Sequence, residues 1–177
     1  MMRPDYREAI ARSGVLERLS AFDPHVAGTP PLGLDLATSD IDILCHCPVP
    51  DVFAAALWQA FGDAEGFAIR QWASGARAII ADFVSHGWSF EIFGQAVPVR
   101  DQQGWRHFRV EQRLLALGGE GLRRAVLEKR RAGMKTEPAF AAVLGLPGDP
   151  YRAMLDLEML PDAALVRHLQ EAGPEAG

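Results

Sequence analysis

The chain has 177 residues, 49% apolar and 23% charged, with a formal net charge of −5. This is an ordinary globular composition, with enough chain for one domain and a proper core. The acidic balance excludes bulk polyanion binding driven by phosphate neutralisation, no apolar run nears the ~20 residues that cross a bilayer, and Met1-Met2-Arg3-Pro4 lacks the apolar stretch of a secretory signal.

Residues 5–12 read as a helix, and 15–21 as a further helical turn after Gly14, striped by Leu16, Leu19 and Phe22. Asp23-Pro24 ends it, and His25-Val26-Ala27 reads as a short strand leading into Gly28-Thr29. The pair Pro30-Pro31 opposes a full helix there and leaves a turn, with room for one helical turn from Leu32. A strand is expected over 40–45, where Asp40-Ile41-Asp42-Ile43 alternates carboxylate with aliphatic, the period of a strand with one face on a core. Asp40 and Asp42 therefore project from one side, about 6.5–7 Å apart along the strand. Cys45, His46 and Cys47 follow. Adjacent strand residues point to opposite faces, so the three do not share one metal and read as two ordinary thiols around a histidine. Free thiols without an export signal suggest the cytoplasm.

Pro50-Asp51 opens an amphipathic helix that ends at Gly62. Three strand-like runs come next, 66–73, 76–85 and 88–95, separated by Ser74-Gly75 and His86-Gly87. A two-residue His-Gly loop, with Gly at positive φ, sets Asp82 directly opposite Glu91, with Cβ atoms about 5 Å apart. From Trp105 the period turns helical, with helices at 106–117, 120–132, 138–144, 150–159 and 161–172 and a frayed tail from Gly173. Thr136 is the expected N-cap of the third of these. The expected fold class is α/β (α+β), a mixed sheet flanked by helices with a helical C-terminal third. Residues 1–104 would form the core, and 105–177 a helical region packed on it.

The stretch 28–43, GTPPLGLDLATSDIDI, carries the chemistry. Two carboxylates on one strand face raise each other's pKa, and a hard divalent cation resolves the conflict, since carboxylate oxygens are what Mg2+ or Mn2+ prefers. Gly28-Thr29 lets backbone approach a phosphate closely and adds a hydroxyl donor. The residues point to a metal site facing a phosphate-bearing ligand; the other reading is a solvent-facing strand edge that carries two acids.

Gly28-Thr29, ten intervening residues and Asp40-Ile41-Asp42 together resemble the signature of the DNA polymerase β-like nucleotidyltransferase superfamily. The match is closest to the minimal nucleotidyltransferases, whose core runs GSxxxGxxxxxSDIDL. Gly28, Thr29, Gly33, Ser39, Asp40, Ile41 and Asp42 fall in register with it, with Thr for Ser and Ile43 for Leu. FEIFGQ, RH, ExRLL and KTEPAF further on are similar to a bacterial domain-of-unknown-function family within that superfamily. The resemblance implies that the Gly-Thr turn contacts the triphosphate of an NTP. It implies that Asp40, Asp42 and a third acid hold Mg2+ (or Mn2+), and that the third acid positions or deprotonates the nucleophile. Glu91 is the preferred third carboxylate, with Asp82 its competitor and otherwise an accessory acid. Relatives often carry an Arg after Gly-Ser; here Pro30, Pro31 and Leu32 stand in its place, and Asp35 adds an acid to the loop.

Further candidates supply positive charge. Arg106, Arg109 and Arg113 share a helix stripe that would stabilise leaving pyrophosphate or else pair with nearby acids, and Arg77 is a possible addition. His107 is either an accessory base or structural, and Lys135 before a helix start could meet phosphate. Arg123, Arg124, Lys129, Arg130 and Arg131 read as a solvated basic face, open to acidic partners or RNA. The implied function is Mg2+-dependent transfer of an NMP from an NTP to a hydroxyl acceptor on a protein, a tRNA or a small molecule. The alternative is a nucleotide-binding or antitoxin-like module that docks a toxin without turnover, and a metal-dependent phosphohydrolase ranks third. No membrane partner is expected.

Overall fold

The alternating runs build one five-stranded mixed sheet: β1 His25–Ala27, β2 Ile41–His46, β3 Glu65–Gln71, β4 Ile79–Ser85 and β5 Trp88–Gln95, in the order β1-β2-β5-β4-β3. The computed structural model describes residues 3–73, 75 and 77–172. Ser74 and Ala76 of the expected break before β4, and the tail 173–177 expected to fray, lie outside them. β2 and β5 are parallel, while β1–β2, β3–β4 and β4–β5 are antiparallel. Parallel neighbours need a crossover; here it runs through the helix α3 (Pro50–Phe61) and the hairpin β3–β4. The chain divides into two compact units, Met1–Pro31 with Ala37–Trp105, and Leu32–Leu36 with Arg106–Gly177.

In the first unit the strand period decides which sheet face is covered. Ile41, Ile43, Cys45, Ile79, Ala81, Phe83, Trp88, Phe90 and Ile92 share one core with Phe53, Leu57 and Phe61 of α3, and with Ala9, Val15 and Leu19. These last three come from α1 (Tyr6–Ser13), α2 (Val15–Arg18) and the residue after it. Asp5 caps α1 by accepting from the Arg7 amide at 2.8 Å. Phe83 stacks between Phe61 and Phe90, with ring centres 4.5 and 4.8 Å away. Gly94 of β5 is a position where only hydrogen fits, because a Cβ there would overlap the Phe53 ring. Gly94→Ala is expected to cost about 1–3 kcal/mol by overpacking, measured as a fall in the midpoint of urea unfolding.

Two local expectations shift. Pro30–Leu32 forms a single 3-10 turn, which starts at the prolines rather than at Leu32. Proline's fixed φ suits the first positions of such a turn, where its missing N–H costs nothing. Lys135, not Thr136, is the cap residue of α5 (Thr136–Val143), and the Thr136 hydroxyl instead accepts from Arg130 Nη1 at 3.0 Å.

The second unit is helical. The long helix α4 (Gln103–Arg131) is interrupted at Gly119, whose φ of 60° and ψ of −153° break the spiral where the sequence separates two helices. α6 (Pro150–Asp156) is capped by Asp149, a 3-10 turn covers Leu157–Met159, and α7 runs Asp162–Ala172. Leu114, Val126, Phe140, Met154 and Leu165 are fully buried in it. Among the described residues no helix is long and apolar enough to cross a membrane.

Candidate active site

Sheet register gathers the acids. Ala27 pairs with Asp42, Asp42 with Glu91, Glu91 with Asp82 and Asp82 with Ala68, one row across all five strands. Cross-strand partners share a face, and their flanking neighbours Ile41, Ile43, Phe90, Ile92, Ala81 and Phe83 fill the α3 core. Asp42, Glu91 and Asp82 therefore project together from the opposite face, at a strand pitch of about 4.8 Å. Asp40 lies just before β2, exposed, on the approach to the row. The hairpin loop has two residues with positive φ, His86 at 50° and Gly87 at 77°, and this fixes Asp82 opposite Glu91.

The turn after β1 closes on Asp42. Gly28 has φ 73°, and a Cβ built on it would overlap the Asp42 carboxylate, so glycine is required both by conformation and by contact. Thr29 Oγ1 donates to the buried Ser39 Oγ at 3.2 Å and ties the turn to the segment entering β2. An N-terminal strap holds that segment from outside. Arg3 Nη1 donates to the carbonyls of Ala37 and Ser39, both at 3.0 Å, while the Arg3 guanidinium lies 3.4 Å from the centre of the Trp88 ring. Trp88 Nε1 in turn donates to the Pro4 carbonyl at 2.9 Å.

Arg70 of β3 is the functional candidate that sequence reasoning missed. Its Nη1 donates to Asp82 Oδ2 and its Nη2 to Glu91 Oε2, the latter at 3.1 Å, so one guanidinium bridges two acids of the row. The signal was available in period, since Arg70 stands two residues after Ala68 and shares its face. The register that brings Ala68 to Asp82 was not available. It depends on an irregularity between Glu65 and Ala68 that no strand pattern announces.

The three acids of the row, Asp42, Glu91 and Asp82, offer oxygen donors, the kind a hard cation takes, and the Gly28 turn leaves backbone rather than side chain against Asp42. The residues present thus fit a divalent metal in kind. Among the described residues no three of His, Cys, Asp or Glu stand grouped as a metal cluster, with Glu91 engaged by Arg70.

Cys45 and Cys47 both turn into the core at 0% and 1% exposure, while His46 faces the other way, its Nε2 3.2 Å from the Ala96 carbonyl. Burial raises the pKa of both thiols, and for Cys45 the neighbouring Cys47 adds to it. Iodoacetamide at pH 8 is expected to label neither thiol in the folded chain and both in urea, counted by mass spectrometry, because the thiolate is the reacting form.

The remaining candidates lie in the second unit. Gly33 has φ 65°, and a Cβ there would stand 2.9 Å from Arg123 Nη1; Arg123 donates to the Leu32 carbonyl and so leaves the solvated face first assigned to it. Arg106 is anchored on Glu158, with Nε to Oε2 at 2.8 Å, and Arg113 on Asp162 at 2.6 Å and the Leu160 carbonyl at 2.7 Å. Arg109 donates to Gln112 at 2.7 Å. His107 is buried, its Nε2 2.9 Å from the Tyr151 carbonyl and its Nδ1 3.6 Å from Glu137. A carbonyl only accepts, so the Nε2 carries the proton. Lys135 is exposed at the start of α5. Arg77, in the first unit, is held at φ 48° with its Nη2 donating to Gln71 at 3.4 Å.

A family model described as a domain of unknown function, DUF4269, matches residues 8–157. A search of curated proteins by sequence matches none. Among solved structures, the Cid1 poly(U) polymerase with MgGTP bound is similar, with 18% identity, TM-score 0.55, and coverage of 85% of this chain and 47% of that one. The GLD-2/RNP-8 complex shows 10% identity and TM-score 0.57, over 94% of this chain and 76% of that one. A cytoplasmic RNA terminal U-transferase shows 15% identity and TM-score 0.53, over 84% and 43%. The chain thus spans about half the length of the polymerase and the U-transferase chains it matches. At these identities the likeness is one of fold alone.

Proposed function

The chain belongs to the DUF4269 family, and from that premise we propose that it is a nucleotidyltransferase, moving a nucleoside monophosphate from an NTP to a hydroxyl acceptor. The observation that carries the reading is the register pairing of Asp42 with Glu91 on parallel neighbours, with the Gly28 turn closed on Asp42. On this reading the Gly28 turn would face the phosphates, with Asp42 and then Glu91 beside it, an order suited to phosphoryl transfer. The similar polymerase structures, one with MgGTP bound, support the same chemistry.

Gly28 and Thr29 would hold the triphosphate through backbone amides and the Thr29 hydroxyl, which already points at Ser39. Asp40, Asp42 and Glu91 would hold a divalent cation, Mg2+ or Mn2+, which when bound neutralises the triphosphate and lowers the pKa of the acceptor hydroxyl. Glu91 orients that hydroxyl and takes its proton. The acceptor oxygen bonds to the α-phosphorus, the bond to the β-phosphate oxygen breaks, and pyrophosphate leaves. Transfer of label from an α-32P-NTP, with and without Asp42→Asn, tests the proposal. Equal labelling by the two proteins would remove Asp42 from the mechanism.

A second reading, nucleotide binding without turnover, is favoured by one observation: Glu91 is engaged by Arg70. Calorimetry separates the two, since NTP binding with no pyrophosphate release is the signature of the second. The acceptor class, whether protein, tRNA or small molecule, and a docked toxin partner belong to these two readings respectively.

A further inference from the structure

The row has a direction. In an in-line displacement the leaving pyrophosphate and the entering hydroxyl lie on opposite sides of the phosphorus. If the triphosphate sits on the Gly28 turn beside β1, the acceptor must approach from the other end of the row, over β4 and β3. This step rests on the function proposed above.

That end carries two side chains suited to one kind of ligand. Trp72, directly after β3, is 54% exposed, although its backbone is fixed by an amide donated to the Ala78 carbonyl at 2.9 Å. Its ring meets Phe93 edge-on, with centres 5.4 Å apart and an interplanar angle of 77°. Phe93 stands two residues beyond Glu91 on the same face and pairs in register with Ile80 and Leu44, which are 1% and 7% exposed. Trp72 is thus a large ring held on a firm apolar floor yet left open to solvent. Two residues before it, Arg70 faces the row with its guanidinium half exposed.

We propose that Trp72, Phe93 and Arg70 form an acceptor subsite for a nucleotide, its base stacked on Trp72, its phosphate on Arg70 and its ribose hydroxyl turned toward Glu91. An aromatic plane beside a guanidinium matches a base beside a phosphate. The chemistry balances: the ribose hydroxyl oxygen bonds to the α-phosphorus of the NTP, its proton passes to Glu91, and pyrophosphate carries away the electron pair of the broken bond. Arg70 exchanges its carboxylate partners for the phosphate, so the acids lose their counter-charge as the acceptor arrives. With a net charge of −5 and Arg70 as the cation of the row among the described residues, binding draws on stacking rather than on counterion release. The footprint is one nucleotide. The same chemistry is offered by a free mononucleotide and by the terminal nucleotide of a strand.

The test measures binding with the full chain, without NTP, using AMP in one arm and a five-nucleotide RNA with a free 3′ hydroxyl in the other. Trp72→Ala is expected to weaken binding about 5- to 150-fold and Trp72→Phe to restore most of it, as stacking on an aromatic face requires. Arg70→Gln weakens binding as well, and the salt dependence has a slope near −1, about one phosphate contact. Trp58→Ala is the control, because Trp58 is equally exposed at 58% but packs on Phe67; it leaves binding unchanged. AMP binding as tightly as the oligonucleotide assigns the subsite to a free nucleotide, and tighter oligonucleotide binding assigns it to a strand end. Equal affinity of wild type and Trp72→Ala, no binding of either probe, or an equal loss in Trp58→Ala overturns the proposal. None of these outcomes depends on NTP turnover, so label transfer from NTP judges the proposed function separately.

Discussion

Asp42→Asn is expected to lower label transfer from an α-labelled NTP by about 10²–10³-fold, with the unfolding midpoint nearly unchanged. The argument is electrostatic. The amide keeps the size of the carboxylate, so the close packing of the Gly28 turn survives, but the negative charge that the proposed mechanism places between phosphate and acceptor is gone. A metal-supported charge of this kind is worth several kcal/mol in a transition state, and each 1.36 kcal/mol is tenfold in rate. Mn2+ affinity by calorimetry should fall in parallel. Asp82→Asn offers the contrast. Asp82 is two strands further from the turn than Asp42 and already shares Arg70, so its loss should reduce transfer by about tenfold or less, the range seen when a residue supporting a ligand is removed.

The second large effect is Gly28→Ala. A left-handed φ of 73° carries a penalty of about 1–2 kcal/mol once a Cβ is present, and here that Cβ also overlaps the Asp42 carboxylate, adding about 1–3 kcal/mol of overpacking. Gly145→Ala isolates the first contribution, since Gly145 has φ 63° with nothing within 4 Å of the built Cβ. Thermal unfolding of the two variants should therefore differ, with Gly28→Ala the less stable, and only Gly28→Ala should lose label transfer. Equal loss of stability together with retained transfer would mean that the turn does not close on Asp42.

The strands and the acid pair across the hairpin were legible because they rest on local rules. The two-residue His86-Gly87 loop sets the register of β4 and β5 by counting, and the aliphatic–acid alternation around Asp42 and Glu91 sets the face. The parallel pairing of Asp42 with Glu91 was not countable. It is fixed by the packing of Ile41, Ile43, Phe90 and Ile92 on α3, and sequence separation carries no register for strands joined by a crossover. Arg70 escaped for the related reason that an irregularity shifts β3 against β4. The arginines after the sheet show the opposite failure. Helical spacing placed Arg106, Arg109 and Arg113 on one stripe, but spacing cannot reveal that Glu158 and Asp162 arrive from later segments to meet two of them.

The strand order β1-β2-β5-β4-β3 also sets how the acid row can form as the chain folds. β3, β4 and β5 are consecutive antiparallel strands, a meander that zips through short loops and low contact order. Contact order predicts that the meander brings Glu91 beside Asp82 early, with Arg70 between them as a counter-ion that lowers their mutual repulsion. β2 must instead dock in parallel against β5 after α3, β3 and β4 have closed the intervening loop, a step that carries most of the loop-closure entropy. Asp42 joins last. A chain without that docking would hold Glu91 and Asp82 bridged by Arg70 but lack Asp42, so the row is completed only by the one parallel pairing of the sheet.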